Sequence, residues 1–217
     1  MRSNVNRWKE LQDDDYFGSH PWYTFRALDP TDNSGEIDIK IIDKYFTITP
    51  DHRVVVIGCG YGRETAPLAC RCRELFAIDV NDTILERAKQ YLHDRNVYNV
   101  EFVLADEFDR EIPSDINLVF SIAVMQHLTR DLVSDYFQKL GRKLAEGGAF
   151  VVQFLEELHP TAANIDAEDR RYEPSVSWTI SQIHELSVQC GLKFVEASTI
   201  PGGTDSVWHW VHLQRPA

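Results

Sequence analysis

From residue 53 onward, short apolar runs alternate with stretches whose apolar positions recur every three or four residues. Residues 53–57 (RVVVI) read as a buried strand, and residues 64–72 as a helix. Pro67 fits that helix only near its first turn, where the missing N–H is tolerated. Residues 75–78 form a second strand, followed by a helix over 83–93 with Asn81 or Asp82 as its N-cap. Residues 100–104 and 116–121 are the third and fourth strands. A helix over 132–144, closed by Gly147 and Gly148, leads to a fifth strand at 149–155. A helix over 180–190 ends at Gly191, and strands at 192–198 and 206–213 are joined by the turn-prone PGGTD.

Strands separated by helices imply an α/β fold with a parallel sheet and right-handed crossovers. The last two strands have no helix between them and are expected as an antiparallel hairpin at one edge. Two segments stand outside the alternation: residues 1–50, with a helical pattern at 36–45, and residues 156–177. Long segments attached to a rigid sheet act as lids over a site, which is the expectation for both.

The length of 217 residues suits one domain, and 43% apolar with 26% charged residues is an ordinary globular composition. No apolar run approaches the roughly 20 residues of a membrane span. The N-terminal residues lack the apolar core of a secretory signal, so a cytoplasmic protein without a membrane partner is expected. The formal net charge of -12, from 34 acidic against 22 basic residues, disfavours nucleic acid, whose phosphates need a basic face. Cys59, Cys70, Cys72 and Cys190 match neither a zinc pattern nor a disulfide framework and read as reduced thiols.

The stretch VVVIGCGYGRET, residues 54–65, carries the chemistry. Gly58, Gly60 and Gly62 fall between a strand and a helix, where positive φ and close backbone approach to a ligand are useful. The following helix N-terminus favours an anionic group. The spacing is neither the dinucleotide G-x-G-x-x-G, since position 63 is Arg, nor a Walker P-loop, since GK[ST] is absent. Asp79 ends the second strand, where a carboxylate accepts hydrogen bonds from a ribose diol. Asp106 and Glu107 follow the third strand, where a carboxylate can receive an adenine amino group.

At this point the chain resembles the class I S-adenosylmethionine-dependent methyltransferases. IGCGYGRET is similar to the family's first motif, FAIDVND to its second, VEFVLADEF to its third, INLVFSIAVMQHL to its fourth and GGAFVVQFL to its fifth strand. The resemblance covers about residues 50–155 and the helix-then-hairpin ending. It implies a three-layer Rossmann-like methyltransferase fold: a seven-stranded, mostly parallel sheet with an antiparallel C-terminal hairpin strand. The single domain would comprise an N-terminal cap (1–50), a cofactor-binding core (51–155), a lid insertion (156–177) and a C-terminal helix and hairpin (178–217). It also implies S-adenosylmethionine as cofactor, with Gly58, Gly60 and Gly62 around its methionine half, Asp79 on the ribose, and Asp106 and Glu107 by the adenine. Ser121 and Ile122 would border the sulfonium and the acceptor. Cys59, Val80 and Gln126 complete the implied cofactor set, and Arg63 either meets the cofactor carboxylate or pairs with a nearby acid.

Methyl transfer from a sulfonium depends mainly on alignment and exclusion of water, and a hydroxyl nucleophile also benefits from a nearby base. His127 in MQHL, His20 in GSHPWY and His159 in ELHP are the base candidates. Tyr16, Trp22, Tyr23 and Glu156 are candidate acceptor contacts, whereas His209 and His212 on the last strand read as structural. The fourth strand ends in SIAV rather than [DN]PP[YF], which disfavours amino-group methylation of DNA bases. Ser121 stands where metal-dependent relatives carry an acid, so no metal is expected. The charged lid segments suit a small polar acceptor methylated on a hydroxyl, such as a sugar or natural-product intermediate. N-methylation of a small molecule or peptide, a cofactor-binding scaffold without turnover, and a nucleotide-dependent oxidoreductase remain as alternatives.

Overall fold

The computed structural model describes Trp8 and residues 33–159, 176–202 and 205–216. Among these the elements run α1 (Ser34–Ile39), α2 (Ile42–Tyr45), β1 (Arg53–Ile57), α3 (Thr65–Ala69), β2 (Glu74–Asp79), α4 (Asp82–His93), β3 (Val100–Leu104), α5 (Phe108–Glu111) and β4 (Ile116–Ser121). A 3₁₀ turn at Met125–His127 precedes α6 (Arg130–Lys143), β5 (Leu144–Glu157), α7 (Ile180–Gln189), β6 (Lys193–Pro201) and β7 (Ser206–Gln214). The candidate residues Tyr16, His20, Trp22 and Tyr23, and most of both expected lids, lie outside the described residues.

The seven strands form a sheet of order β3-β2-β1-β4-β5-β7-β6. The chain divides into two compact units, one ending at Ile112 and the other beginning at Pro113. In the first, β1, β2 and β3 pair in parallel, with Ile57 beside Ile78 and Asp79 beside Leu104. Val54, Val55, Val56, Ile57, Leu75, Phe76, Ala77 and Ile78 are all buried. Such unbroken burial is the mark of a parallel strand covered on both faces. Helix α4 turns Ile84, Leu85, Ala88 and Leu92 inward, and Asn81 caps it by accepting from the Ile84 N–H at 3.0 Å.

In the second unit β4 and β5 pair in parallel, and β7 runs antiparallel between β5 and β6. Phe137 of α6 packs against Phe150 and Phe154 of β5, with ring centroids 4.9 and 6.1 Å away, and Trp178 meets Phe154 at 5.4 Å. Thr179 and Gln182 form a reciprocal capping box that starts α7.

Three expectations need correction. The helical pattern at 36–45 is two short helices, α1 and α2, broken near residues 40 and 41. The expected 64–72 helix is only Thr65–Ala69. The α6 helix stops at Lys143, and β5 begins at once with Leu144 extended at φ -61 and ψ 139. Gly147 and Gly148 therefore do not close the helix. They form an irregularity in β5, where the pairing jumps from Ile116–Leu144 to Leu118–Ala149. Gly147 takes φ +73, and a Cβ on Gly148 would lie 2.8 Å from the Ile116 carbonyl oxygen. A glycine at each position answers to that crowding and that turn.

Candidate functional site

The turn after β1 is built on three left-handed glycines, with φ of 69° at Gly58, 50° at Gly60 and 88° at Gly62. The Gly58 and Cys59 N–H groups both donate to the Ile78 carbonyl, at 2.8 and 2.9 Å, which ties the turn to the end of β2. Gly60 and Gly62 serve different ends. A Cβ on Gly60 would meet nothing within 4 Å among the described residues, which leave open space beside the backbone there. A Cβ on Gly62 would fall 2.5 Å from Leu92 Cδ1, so this glycine lets α4 pack close.

Asp79 faces the turn. Its Oδ2 accepts from the Gly60 N–H at 3.0 Å and its Oδ1 from the Val80 N–H at 2.8 Å. Burial raises its pKa from 3.8 to about 6, against the lowering effect of the Gly60, Val80 and Asn81 backbone donors. A carboxylate offers about four acceptor positions, so the backbone donors leave room for a further hydroxyl donor. Cys59 is buried. Burial first, and then the Asp79 carboxylate, push its thiol well above the ordinary value, so it stays a neutral packing group.

Arg63 bonds to acids. It lies 2.7 Å from Asp38, pairs with Glu64, and donates to Ser34 Oγ at 3.1 Å. Gly35 sits so close that a Cβ there would be 2.1 Å from the Arg63 carbonyl oxygen. The α1 helix is thereby seated on the turn. Asp106 is exposed, and Glu107 pairs with Arg110 at 2.7 Å on the surface.

In the second unit Ser121 is buried at the end of β4, and Ile122 is half-buried. Ala123 follows at φ +57, a strained value for a residue with a Cβ, and its N–H donates to Gln153 Oε1 at 3.1 Å. Gln126 is buried. Its amide nitrogen lies 3.2 Å from His127 Nε2, which must accept, since an amide nitrogen only donates. Its Oε1 has no partner among the described residues. His159 is exposed. Glu156 Oε2 meets His209 Nε2 at 2.6 Å.

Sequence reasoning passed over Thr65 and Asn81. Thr65 Oγ1 and Asn81 Nδ2 are buried and without a partner among the described residues. Their place beside the turn and just after Asp79 was the available signal. A ligand that carries polar groups would satisfy them. The open space at Gly60, the Asp79 carboxylate and these unsatisfied atoms together fit a polar ligand that carries hydroxyl groups.

Comparison with known proteins agrees with this geometry. Residues 54–148 match the family model described as a methyltransferase domain. A protein-L-isoaspartate O-methyltransferase from Rhodopseudomonas palustris (strain BisA53) is 32% identical over 86 residues, covering 40% of this chain and 39% of that protein. A 23S rRNA (uracil(1939)-C(5))-methyltransferase from Pseudomonas entomophila (strain L48) is 41% identical over 96 residues, covering 42% of this chain and 21% of that one. The chain thus spans well under half the length of these two relatives. Among solved structures, Haemonchus contortus phosphoethanolamine N-methyltransferase 2 in complex with S-adenosyl-L-methionine superposes with a TM-score of 0.78 at 15% identity, over 100% of this chain and 61% of that one. In its glycine turn, acidic β2 terminus and seven-stranded sheet the chain is similar to methyltransferases, and the methyltransferase domain model covers residues 54–148 of it.

Proposed function

We propose that this chain is an enzyme that transfers the methyl group of S-adenosylmethionine to a hydroxyl of a small polar acceptor. The observation that carries the cofactor assignment is the bond from the Gly60 N–H to the Asp79 carboxylate, which presets an acceptor for ribose hydroxyls beside an open glycine backbone. Gly58, Gly60 and Gly62 hold the methionine half in this reading, Asp79 the ribose, and Asp106 with Glu107 the adenine. Thr65 and Asn81 supply the buried polar atoms that the cofactor satisfies. When bound, the cofactor supplies a methyl group activated by a sulfonium whose leaving group is a neutral thioether. The chain's own contribution is to align the acceptor, keep water out and receive the acceptor's proton.

The acceptor class rests on charge. A net charge of -12 is unfavourable for an RNA substrate, although one relative acts on rRNA. By calorimetry, S-adenosylhomocysteine is expected to bind at micromolar strength or better, and NAD(H) and NADP(H) not at all. Preferential NAD(H) binding would overturn the cofactor assignment. With monosaccharides, phenols and hydroxy acids as acceptors, turnover is expected and should survive EDTA. Turnover of amines alone would replace O-methylation with N-methylation.

A further inference from the structure

Thr199 on β6, His209 on β7 and Glu156 on β5 form a hydrogen-bonded chain that lies wholly within the second unit. Thr199 Oγ1 lies 2.8 Å from His209 Nδ1, and His209 Nε2 lies 2.6 Å from Glu156 Oε2. The register places Thr199 opposite His209, and His209 opposite Phe154, two residues before Glu156. Side chains two apart on a strand share a face, so all three groups stand on one side of the sheet. His209 is buried, the Glu156 side chain keeps 24% of its surface, and Thr199 is exposed.

A pin between strands would not need this chain. The β5–β7 ladder already runs from Ala149–Gln214 to Glu157–Ser206, and β6–β7 from Lys193–Gln214 to Pro201–Val207. Placing a carboxylate and an imidazole together out of water costs desolvation that such ladders do not require. What the chain does achieve is orientation. With both ring nitrogens bonded, the imidazole is held in one position. An ionised Glu156 takes the Nε2–H, which leaves Nδ1 to accept the Thr199 O–H. A hydroxyl bonded to an imidazole that an acid orients is the arrangement of an activated nucleophile.

The backbone adds an oxyanion donor. The Gly202 N–H donates to the Ser206 carbonyl at 2.9 Å. That pair is therefore hydrogen-bonded, and by alternation along the ladder Thr199 and His209 form a non-hydrogen-bonded pair. Side chains approach closest in such pairs, and the Thr199 N–H faces away from β7. Pro201, which has no N–H to donate, occupies the next position of the same kind. Among the described residues β6 pairs with β7 alone. The Thr199 N–H thus stands on an open edge beside its own hydroxyl, placed to donate to a developing oxyanion. Ala197 and Pro201 flank Thr199 on the same face. Neither carries a long side chain, so a small acyl group has room to approach.

We propose that Thr199, His209 and Glu156 form a second active site, one that hydrolyses carboxylic esters with a small acyl group. This activity does not rest on the methyl-transfer reading. Thr199 Oγ1 attacks the ester carbonyl carbon, and its proton passes to His209 Nδ1. The bond from that carbon to the alcohol oxygen then breaks. The departing alcohol takes the proton from Nδ1, and the acyl group stays on Thr199. Water attacks the acyl-threonine next, giving its proton to Nδ1. The carbon–Oγ1 bond breaks, Oγ1 regains the proton, and the carboxylic acid leaves. The net reaction is ester plus water to acid plus alcohol. Thr199 and His209 are the catalytic residues, and Glu156 is a positioning residue.

The test uses the full chain with p-nitrophenyl acetate and no added cofactor. Release of p-nitrophenolate reports acyl transfer, peptide mass spectrometry after an acid quench locates the acetyl group, and circular dichroism reports folding. A histidine ¹⁵N spectrum reports the His209 tautomer. The wild type is expected to release p-nitrophenolate faster than buffer does, to carry acetyl on Thr199 and to turn over. Its spectrum should show His209 protonated at Nε2. Thr199→Val, a change at an exposed position, should stay folded and lose the release, and Thr199→Ser should keep it. Glu156→Gln should cut turnover about 100-fold or more and alter the His209 tautomer. Release that Thr199→Val leaves intact overturns the proposal. So does acetyl found only on lysines or on the exposed Cys70. A folded wild type with no release above buffer, or with the His209 proton on Nδ1, overturns it as well.

Discussion

Gly60 donates its backbone N–H to Asp79 Oδ2 at 3.0 Å, across 19 residues of sequence. The bond joins the end of β2 to the turn after β1, so the acidic residue and the glycine backbone are one unit. Burial holds the Asp79 pKa up at about 6. The native state therefore binds that proton more tightly than the unfolded chain does. Stability of the ligand-free protein should fall as pH rises from about 4 to about 6 and then level off, by up to about 3 kcal/mol. Asp79→Asn removes that dependence and should be more stable than wild type at pH 7 by chemical denaturation.

Ligand binding at the same group should run the other way. Ribose hydroxyls donate to the ionised carboxylate, so S-adenosylhomocysteine affinity should be lost as pH falls through about 6. Asp79→Ala should weaken binding by about 10- to 100-fold at pH 7.5, and its affinity should be flat across pH 5 to 7.5. A wild-type affinity that does not change over that range would detach Asp79 from the ligand.

Gly60 and Gly62 should separate under the same substitution. Gly60→Ala places a Cβ in open space at φ +50, a conformation that costs a side chain about 1 kcal/mol. Its main effect is expected on cofactor affinity. Gly62→Ala drives a Cβ into Leu92 at φ +88 and should cost about 1–3 kcal/mol of stability. Equal losses of stability from the two changes would contradict their different surroundings.

Arg63 is held 2.7 Å from Asp38, each about one-third exposed. Such a pair is worth at most about 1 kcal/mol. Arg63→Ala and Asp38→Asn should each have small effects on stability, and the double variant should cost less than their sum. Hydrogen exchange over α1 should rise in both. If Arg63 instead binds the cofactor carboxylate, Arg63→Ala will weaken S-adenosylhomocysteine binding far more than Asp38→Asn does.

Local apolar patterns mark the strands well where burial is continuous. Residues 53–57, 100–104 and 116–121 became β1, β3 and β4 without change of bounds. The failures share a cause. Gly147 and Gly148 look like a helix stop because glycine follows helices. Only the nearness of the Ile116 carbonyl, 31 residues or more earlier in the chain, shows that they serve an irregular strand. His209 looks structural by alternation alone, because its bond to Glu156 joins residues 53 apart. The turn at Gly58–Gly62 was legible because its chemistry is written in twelve consecutive residues. The pairings of Arg63 with Asp38 and of Thr199 with His209 were not, because they depend on which elements the fold brings together.

The position of β7 between β5 and β6 also bears on how the chain is made. During synthesis β6 leaves the ribosome before its inner neighbour exists. Until residues 206–214 emerge, the long β5 strand has an unpaired edge rich in buried-type residues (Ala149–Leu155), and such an edge invites pairing with other chains. A chain cut after residue 202 would keep the glycine turn and Asp79 intact. It would nevertheless be expected to aggregate, because it lacks the strand that covers that edge.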